Sequence, residues 1–397
     1  MTDLDRFRAE AREWLLANAP KSMFTPARSE EDICWGGRKV QYPPDEVRWL
    51  KVMGERGWTA PTWPKEYGGG GLSAAESKAL QEEMRALKLR PALAGFGLTM
   101  IGPLLLHEGS EEQKREHLPR IVRGEIRWCQ GYSEPGAGSD LAGLATRAVP
   151  DGDDFVVSGQ KIWTSYADKA DWMFLLVRTD PDAEKHAGIT FLLMDMTSPG
   201  VSVRPIRLIS GYSPFCETFL QDVHVARKNV VGKVNAGWPI AKKLLGFERT
   251  MIADVFLGRD DSAGTDRMLD LARHYVGPSE GSLADPLLRD RITQLKLDQA
   301  CLDLTLQRTK DSAKAGQTPG AESSIFKYYG TELNKRRYEL FMSILGPQAL
   351  GWEGEGFEPQ EVKLTREWLR SRANSIEGGT TEIQLNIIAK RVLGLPD

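Results

Sequence analysis

Two periodicities divide the chain. Through residue 125 the apolar side chains recur mostly at helical spacing. MTDLDRFRAEAREWLLANAP makes one amphipathic helix, and a second begins near Asp45, after Pro43-Pro44. APTWPKEYGGGGLS (60–73) is a Pro/Gly loop with two aromatics, and AAESKALQEEMRALKL then returns to helical spacing. SEEQKREHLPRIVRGE (110–125) reads as a helix opened by Ser110 as N-cap and a nearby Glu. From 126 to 235 the period drops to two, in DFVVSGQKIWTSY, DWMFLLVRTD, GITFLLMDM, VSVRPIRL and TFLQDVHVA. Asp-Gly and Ser-Pro-Gly breaks separate these runs, which is the pattern of an all-β domain, a barrel or a sandwich. From Trp238 helical spacing resumes, and long helices fit 238–257, 261–276, 285–315, 320–346 and 380–392. Helices, strands, then helices is a segregated α+β order, with domains at 1–125, 126–235 and 236–397.

Composition narrows the class. A chain of 397 residues exceeds one ordinary core and fits two or three packed domains. Its 52 basic and 55 acidic residues leave a net charge of −3 without a Lys/Arg run, so no nucleic-acid or anionic-membrane surface is expected. No apolar run is long enough to span a bilayer. Cys34, Cys129, Cys216 and Cys301 are widely spaced, with no CxxC or Cys/His set, so no metal site is expected; they read as free thiols of a reducing, cytoplasmic compartment. Asp3, Asp5, Glu10 and Glu13 argue against a mitochondrial transit peptide, and no apolar segment marks a secretory signal. No G-x-G-x-x-G follows a strand, which leaves a nicotinamide-binding Rossmann domain unsupported.

Three segments carry a family likeness. YSEPGAGSDLAG (132–143), GQKIWTSYADKADWMFLL (159–176) and GGTTEIQLNIIAKRVLGLP (378–396), in that order, resemble the acyl-CoA dehydrogenase family. WPKEYGGGGLS and FLQDVHVARKNVVGKVNAGW (219–238) extend the likeness over nearly the whole chain. The resemblance implies an N-terminal helical domain, a middle β domain and a C-terminal four-helix bundle, the order already read from periodicity. It also implies FAD bound between the β domain and the bundle, and removal of the α and β hydrogens of an acyl-CoA thioester to give a trans-2-enoyl-CoA. Electrons would pass to an electron-transfer flavoprotein.

The same segments can be read for their chemistry. Gly136 and Gly138 let the backbone pass close to a bulky ligand, so that backbone N–H groups and the hydroxyls of Ser133 and Ser139 face it. By the family motif, Tyr132, Ser133, Gly138 and Ser139 lie along the flavin, with Ser133 beside its N5 and O4 region. Trp163 and Ser165 match the residues that cover one flavin face, a task suited to a flat indole. In GGTTEIQ, Gly379, Thr380, Thr381, Glu382 and Gln384 fall at the family's cofactor contacts near the pyrophosphate or ribityl chain. The same residues also read as a plain helix start, with Thr380 as N-cap and Glu382 in the first turn. Arg273, in RHYVG (273–277), matches the arginine that reaches the FAD of a neighbouring subunit.

The reaction needs a base, and the family's usual C-terminal Glu falls at Gly378. Glu377 is one residue earlier. The other candidate is Glu248 in KKLLGFERTMIADVF, where a Glu-Arg pair resembles that of the isovaleryl- and long-chain-type members, whose base sits on this helix. Leu244, Phe247, Met251 and Val255 form an apolar face beside it, and a carboxylate there is costly without a task or a partner. An ordinary alternative is a surface ion pair with Lys243. LAGFGLTMIGPLLL (93–106) reads either as wall of the acyl pocket or as simple helix packing.

The chain departs from the family pattern at two subunit-contact motifs, where Val276 replaces Phe and ILGPQALG (344–351) carries Pro347. These departures resemble large subunits of heterotetramers that pair with a second acyl-CoA dehydrogenase-like subunit, rather than a self-sufficient homotetramer or dimer. Two further readings keep the fold: a catalytically silent partner subunit, and an oxygen-using oxidase or flavin monooxygenase.

Overall fold

A computed structural model describes residues 2–27, 32–246, 261–279, 282–314, 320–321 and 323–396. The chain falls into two units, Met1–Ile206 with Pro214–Phe247, and Arg207–Ser213 with Glu248–Asp397.

In the first unit, helices begin where the sequence supplies a cap. Helix α1 (Asp3–Asn18) opens on a Thr2/Asp5 capping box, and α3 (Ala74–Ala86) on Ser73/Glu76. Between them α2 (Pro44–Glu55) starts on a proline, which needs no N–H there. Ala11, Leu15, Trp49, Met53 and Leu80 bury the facing sides of these three helices. Ser110 caps α5 (Glu111–Val122) as expected, but its partner is Gln113, not a Glu. An amide is required: Gln113 Oε1 accepts from Ser110 N while its Nε2 donates to the carbonyls of Lys228 and Val230, at 2.7 and 2.9 Å. A carboxylate has no N–H to give.

The alternating runs form one eight-stranded sheet. Its strands are β1 (Trp128–Gly131), β2 (Arg147–Asp151), β3 (Asp154–Ser165), β4 (Trp172–Arg178), β5 (Ile189–Asp195), β6 (Val201–Ile206), β7 (Phe215–Ala226) and β8 (Val230–Val231). The order is β6-β7-β3-β2-β4-β5-β8, with β1 lying parallel to β4. One core joins sheet and helices: Trp128, Trp172, Phe174 and Phe191 pack with Leu118 and Ile121 of α5 and with Leu104 and Leu105 of α4 (Gly102–Glu108). A further helix, α6, covers residues 237–246 and buries Ile240, Ala241 and Leu244.

Among the described residues, the second unit is helical apart from the antiparallel pair Pro278–Ser279 and Ser282–Leu283. Helices α7 (Asp261–Tyr275), α8 (Pro286–Lys314), α9 (Ser323–Leu345) and α11 (Thr381–Ile387) lie close to the expected spans, whereas α10 (Pro359–Ser371) falls where no helix was expected. Their core includes Met268, Ile292, Leu302, Leu333, Phe341 and Leu364. Pro347 sits at the start of the 3-10 turn Gly346–Leu350, where a proline needs no N–H, so it does not disturb this segment.

His117 of α5 is fully buried between Trp128 and Trp172, with ring centroids 5.2 and 4.7 Å away and no hydrogen-bond partner on either nitrogen. Burial holds it neutral and pulls its pKa down to about 4, against a partial upward pull from Glu116. The unfolded chain therefore binds a proton here below about pH 6.5 that the folded chain refuses until about pH 4. The stability this group contributes is complete above the upper value and is lost as the pH falls through that window. His117→Phe should remove this slope: in urea titrations at pH 7.5 and 5.0, wild type should lose about 2 kcal/mol more than the variant. Equal losses would show that His117 is not the group responsible.

Candidate functional site

The conspicuous residue of the first unit is Trp163. Its backbone is left-handed, at φ +60°, and its side chain is 52% exposed. A positive φ is uncommon for a bulky residue and needs support from its surroundings. The support is a β-bulge: the β3–β7 register slips between Lys161 and Thr164. Alternation therefore points Lys161 and Thr164 inward and turns the indole out, edge-on to Phe215 at 6.0 Å.

The bulge is tied to the 132–140 loop. Ile162 N donates to Ser133 O at 2.9 Å, which makes Ser133 and Trp163 neighbours. Beneath them lies an ion pair that the motif reading missed. Lys161 is fully buried, and its ammonium donates to Glu134 Oε1 at 2.7 Å, Leu176 O at 2.7 Å and Tyr132 O at 3.3 Å. Glu134 also accepts from the N–H groups of Ala145 and Thr146, at 2.7 and 3.0 Å. Burial pulls Lys161 down to about 8 and pushes the Glu134 carboxyl up, but the ammonium and the two N–H groups outweigh burial and hold Glu134 below the usual carboxylate range. Three acceptors around three N–H donors fit the charged form, so both partners are ionised at neutral pH. A lysine in an alternating strand ordinarily reads as solvent-facing; only its place inside the 159–176 motif hinted at more.

The loop itself turns at Glu134–Ala137, which exchange both backbone hydrogen bonds. A Cβ at Gly136 or Gly138 would meet nothing within 4 Å, so open space lies against both. Tyr132 is buried, Ser133 and Ser165 are half-buried, and Ser139 is exposed. The structure thus joins the Ser133 loop to the strand of Trp163 and Ser165, with an exposed indole, hydroxyls and open space at Gly136 and Gly138. These features fit a flat, polar-edged cofactor such as a flavin.

The remaining predicted residues belong to the second unit. Gly378 and Gly379 are both left-handed, at φ +61° and +88°. A Cβ at Gly379 would meet the Gln384 amide at 2.5 Å. Thr380 caps α11, accepting from Ile383 N at 3.2 Å, so the helix-start reading of this residue holds. Gln384 is buried and donates to Gly378 O at 3.2 Å, turned toward its own turn rather than outward. Glu382 is exposed, and the Thr381 hydroxyl is buried with no partner. Arg273 is exposed and pairs with Asp270 at 3.1 Å.

Of the two candidate bases, Glu248 lies outside the described residues. Lys243, its ordinary candidate partner, pairs with Glu108 at 2.6 Å. Glu377 is held by Arg370 Nη2 at 2.6 Å and by the Asn374 amide, an occupied carboxylate. Of the 93–106 segment, Met100, Ile101, Leu104 and Leu105 are core. This supports the packing reading for that part.

Comparison with known proteins agrees with this geometry. The acyl-CoA dehydrogenase N-terminal, middle and C-terminal domain families match residues 6–125, 129–223 and 235–393. The acyl-CoA dehydrogenase IpdE1 of Mycobacterium tuberculosis is 36% identical over 407 residues, covering 100% of this chain and 99% of the relative. Among solved structures, the Tcur3481-Tcur3483 steroid ACAD superposes with a TM-score of 0.76 at 30% identity, over 99% of this chain and 97% of that one. The ChsE4-ChsE5 complex of M. tuberculosis gives 0.74 at 32%, over 100% and 98%.

The buried pair gives a direct test. Lys161→Met leaves the Glu134 carboxylate buried without its cation and should cost about 3–5 kcal/mol of unfolding free energy. Lys161→Met with Glu134→Leu should recover much of it. A single variant as stable as wild type in urea would remove the pair from its structural role.

Proposed function

This chain belongs to the acyl-CoA dehydrogenase family of FAD-dependent oxidoreductases, and from that premise we propose that it converts an acyl-CoA thioester to the trans-2-enoyl-CoA with Glu248 as base. The observation that carries the reading is Trp163: an exposed indole, fixed outward by a bulge and hydrogen-bonded through its neighbour to the Ser133 loop.

When bound, FAD supplies the acceptor for the hydride leaving the β carbon. Trp163 stacks on the ring system and keeps water from one face. Ser133, Ser139 and Ser165, with the backbone at Gly138, offer hydrogen bonds along its polar edge. Tyr132 and the buried Lys161–Glu134 pair hold that edge in place. By family likeness, Gly379, Thr380, Thr381, Glu382 and Gln384 are further cofactor contacts, and Arg273 one to the FAD of a neighbouring subunit. Glu248 takes the α proton, a role suited to a carboxylate on an apolar face whose pKa is raised toward neutrality. Glu377 is the lesser candidate, because Arg370 and Asn374 already engage it.

Electrons leave to an electron-transfer flavoprotein, and the enzyme works with a second acyl-CoA dehydrogenase-like subunit in the cytoplasm. Two of the similar solved structures are named as two-component assemblies, which supports a heteromeric state. One of them is named a steroid ACAD, so bulky steroid-type thioesters belong in any substrate panel beside straight and branched chains.

Glu248→Gln should retain the flavin yet slow its bleaching by acyl-CoA about 10³-fold, measured anaerobically by stopped-flow absorbance. A variant that bleaches as fast as wild type would move the base elsewhere, with Glu377→Gln next. Trp163→Ala should weaken flavin retention on a desalting column while changing the urea midpoint little, since the indole is half exposed. Full retention in that variant would remove the indole from the cofactor site.

A further inference from the structure

Two neighbouring side chains at the end of β4 take no part in the site above. Arg178 Nη2 donates to Ala142 O at 2.6 Å, and its Nη1 donates to Ala187 O at 2.9 Å and Lys185 O at 3.2 Å. That guanidinium fastens the end of the 132–143 segment to the connection between β4 and β5. Thr179, the next residue, serves a different element. Its Oγ1 lies 2.7 Å from Oγ1 of Thr190, a fully buried residue of β5, and donates to Asn235 Oδ1. Asn235 N donates in turn to Thr190 Oγ1 at 2.8 Å. Gly188 O, at 3.3 Å, is a longer alternative acceptor for Thr179.

Each hydroxyl has one proton to give. Asn235 N–H fills a lone pair of Thr190, Thr190 donates to Thr179, and Thr179 donates to the Asn235 side chain. Three residues thus close a ring in which each gives one hydrogen bond and takes one. Bonds linked in this way polarise and strengthen one another.

The ring stands at the start of α6. Asn235 is left-handed, at φ +65°, and precedes that helix by two residues. Ala236 forms a parallel bridge with Ile189. A Cβ at Gly237 would meet Phe191 N at 2.5 Å, so the first turn lies directly on the β5 backbone. Ile240, Ala241 and Leu244 then enter the core. Apolar burial holds the helix to the sheet but is non-directional. The ring, with its fixed lengths and angles, sets where the helix begins and how it is rotated.

Glu248 follows Gly246, the last described residue of α6, by two positions, in a sequence whose helical spacing runs on to 257. Proton transfer depends steeply on placement: an error of about 1 Å costs on the order of 100-fold in rate. We propose that Thr179, Thr190 and Asn235 are positioning residues for Glu248, acting through the start of α6. The proposal rests on the dehydrogenase reading with Glu248 as base.

The test uses the flavin-loaded enzyme, with its partner subunit if it has one, and the variants Thr190→Val and Thr190→Ser, each also combined with Glu248→Gln. Amide hydrogen exchange over residues 237–246 reads the anchor directly. Anaerobic bleaching by acyl-CoA gives a limiting rate and a half-saturating concentration. Thr190→Val, which keeps the shape but breaks the ring, should exchange about 10-fold faster in α6. Its limiting rate should fall about 10- to 100-fold with half-saturation unchanged, and Thr190→Ser, which keeps the hydroxyl, should restore both. In the Glu248→Gln background Thr190→Val should slow bleaching no further, because the group it positions is already gone. Unchanged exchange in Thr190→Val overturns the anchor. Faster exchange with a wild-type limiting rate overturns its link to the base, and so does an equal further loss in the Glu248→Gln background. Should Thr190→Val not fold, Asn235→Gly, which keeps the left-handed turn but removes Oδ1, should move exchange and rate in the same directions. If no acyl-CoA bleaches wild type, or Glu248→Gln bleaches as fast as wild type, the base reading has failed instead, and the exchange alone decides whether the ring anchors α6.

Discussion

The buried contact between Lys161 and Glu134 organises the candidate site of the first unit. Its ammonium reaches the carbonyl of Tyr132, the side chain of Glu134 and the carbonyl of Leu176, joining the 132–140 loop, β3 and β4 at one point. Buried pairs of this kind seldom add much net stability, because desolvation offsets attraction. Their effect is on position: only one arrangement of loop and strand satisfies both charges. With Lys161 fixed inward, the bulge that follows leaves Trp163 facing out and bonded through Ile162 to Ser133.

The second unit meets a different constraint. Gly378 and Gly379 both adopt backbone that side chains resist, and Gln384 folds back to bond Gly378 O in the space a Cβ at Gly379 would need. The turn is thus shaped by small residues and by one amide. Its neighbouring carboxylate, Glu377, is tied to Arg370 and Asn374, which serves the local structure.

Much of this architecture was legible in the sequence because burial on one side leaves a period. Strands β3 to β7 follow the alternating runs closely, and α7, α8, α9 and α11 follow the helical ones, while α10 was missed. β1 was not legible: WCQG is four residues long and largely buried, so no alternation is left to read. Lys161 and Glu134 were not legible as a pair, since they lie 27 positions apart and each looks like a surface residue alone. The residues named for the cofactor stood out through motif likeness, and the structure added the physical cause for one of them, the left-handed backbone of Trp163. Glu248 rests on likeness and on the apolar positions around it.

One feature of the 93–106 segment sets how it meets the core. Gly97–Ile101 is a π turn, in which Gly102 N reaches back five residues to Gly97 O. Such a turn holds one residue more than an α-helical turn. Phe96 and Leu98 are partly buried against the core, while Met100, Ile101, Leu104 and Leu105 lie within it. Removing a single residue here would restore the regular helix and rotate one side against the other by about 100°. Chain length, and not side-chain identity alone, keeps these two sets of residues in phase.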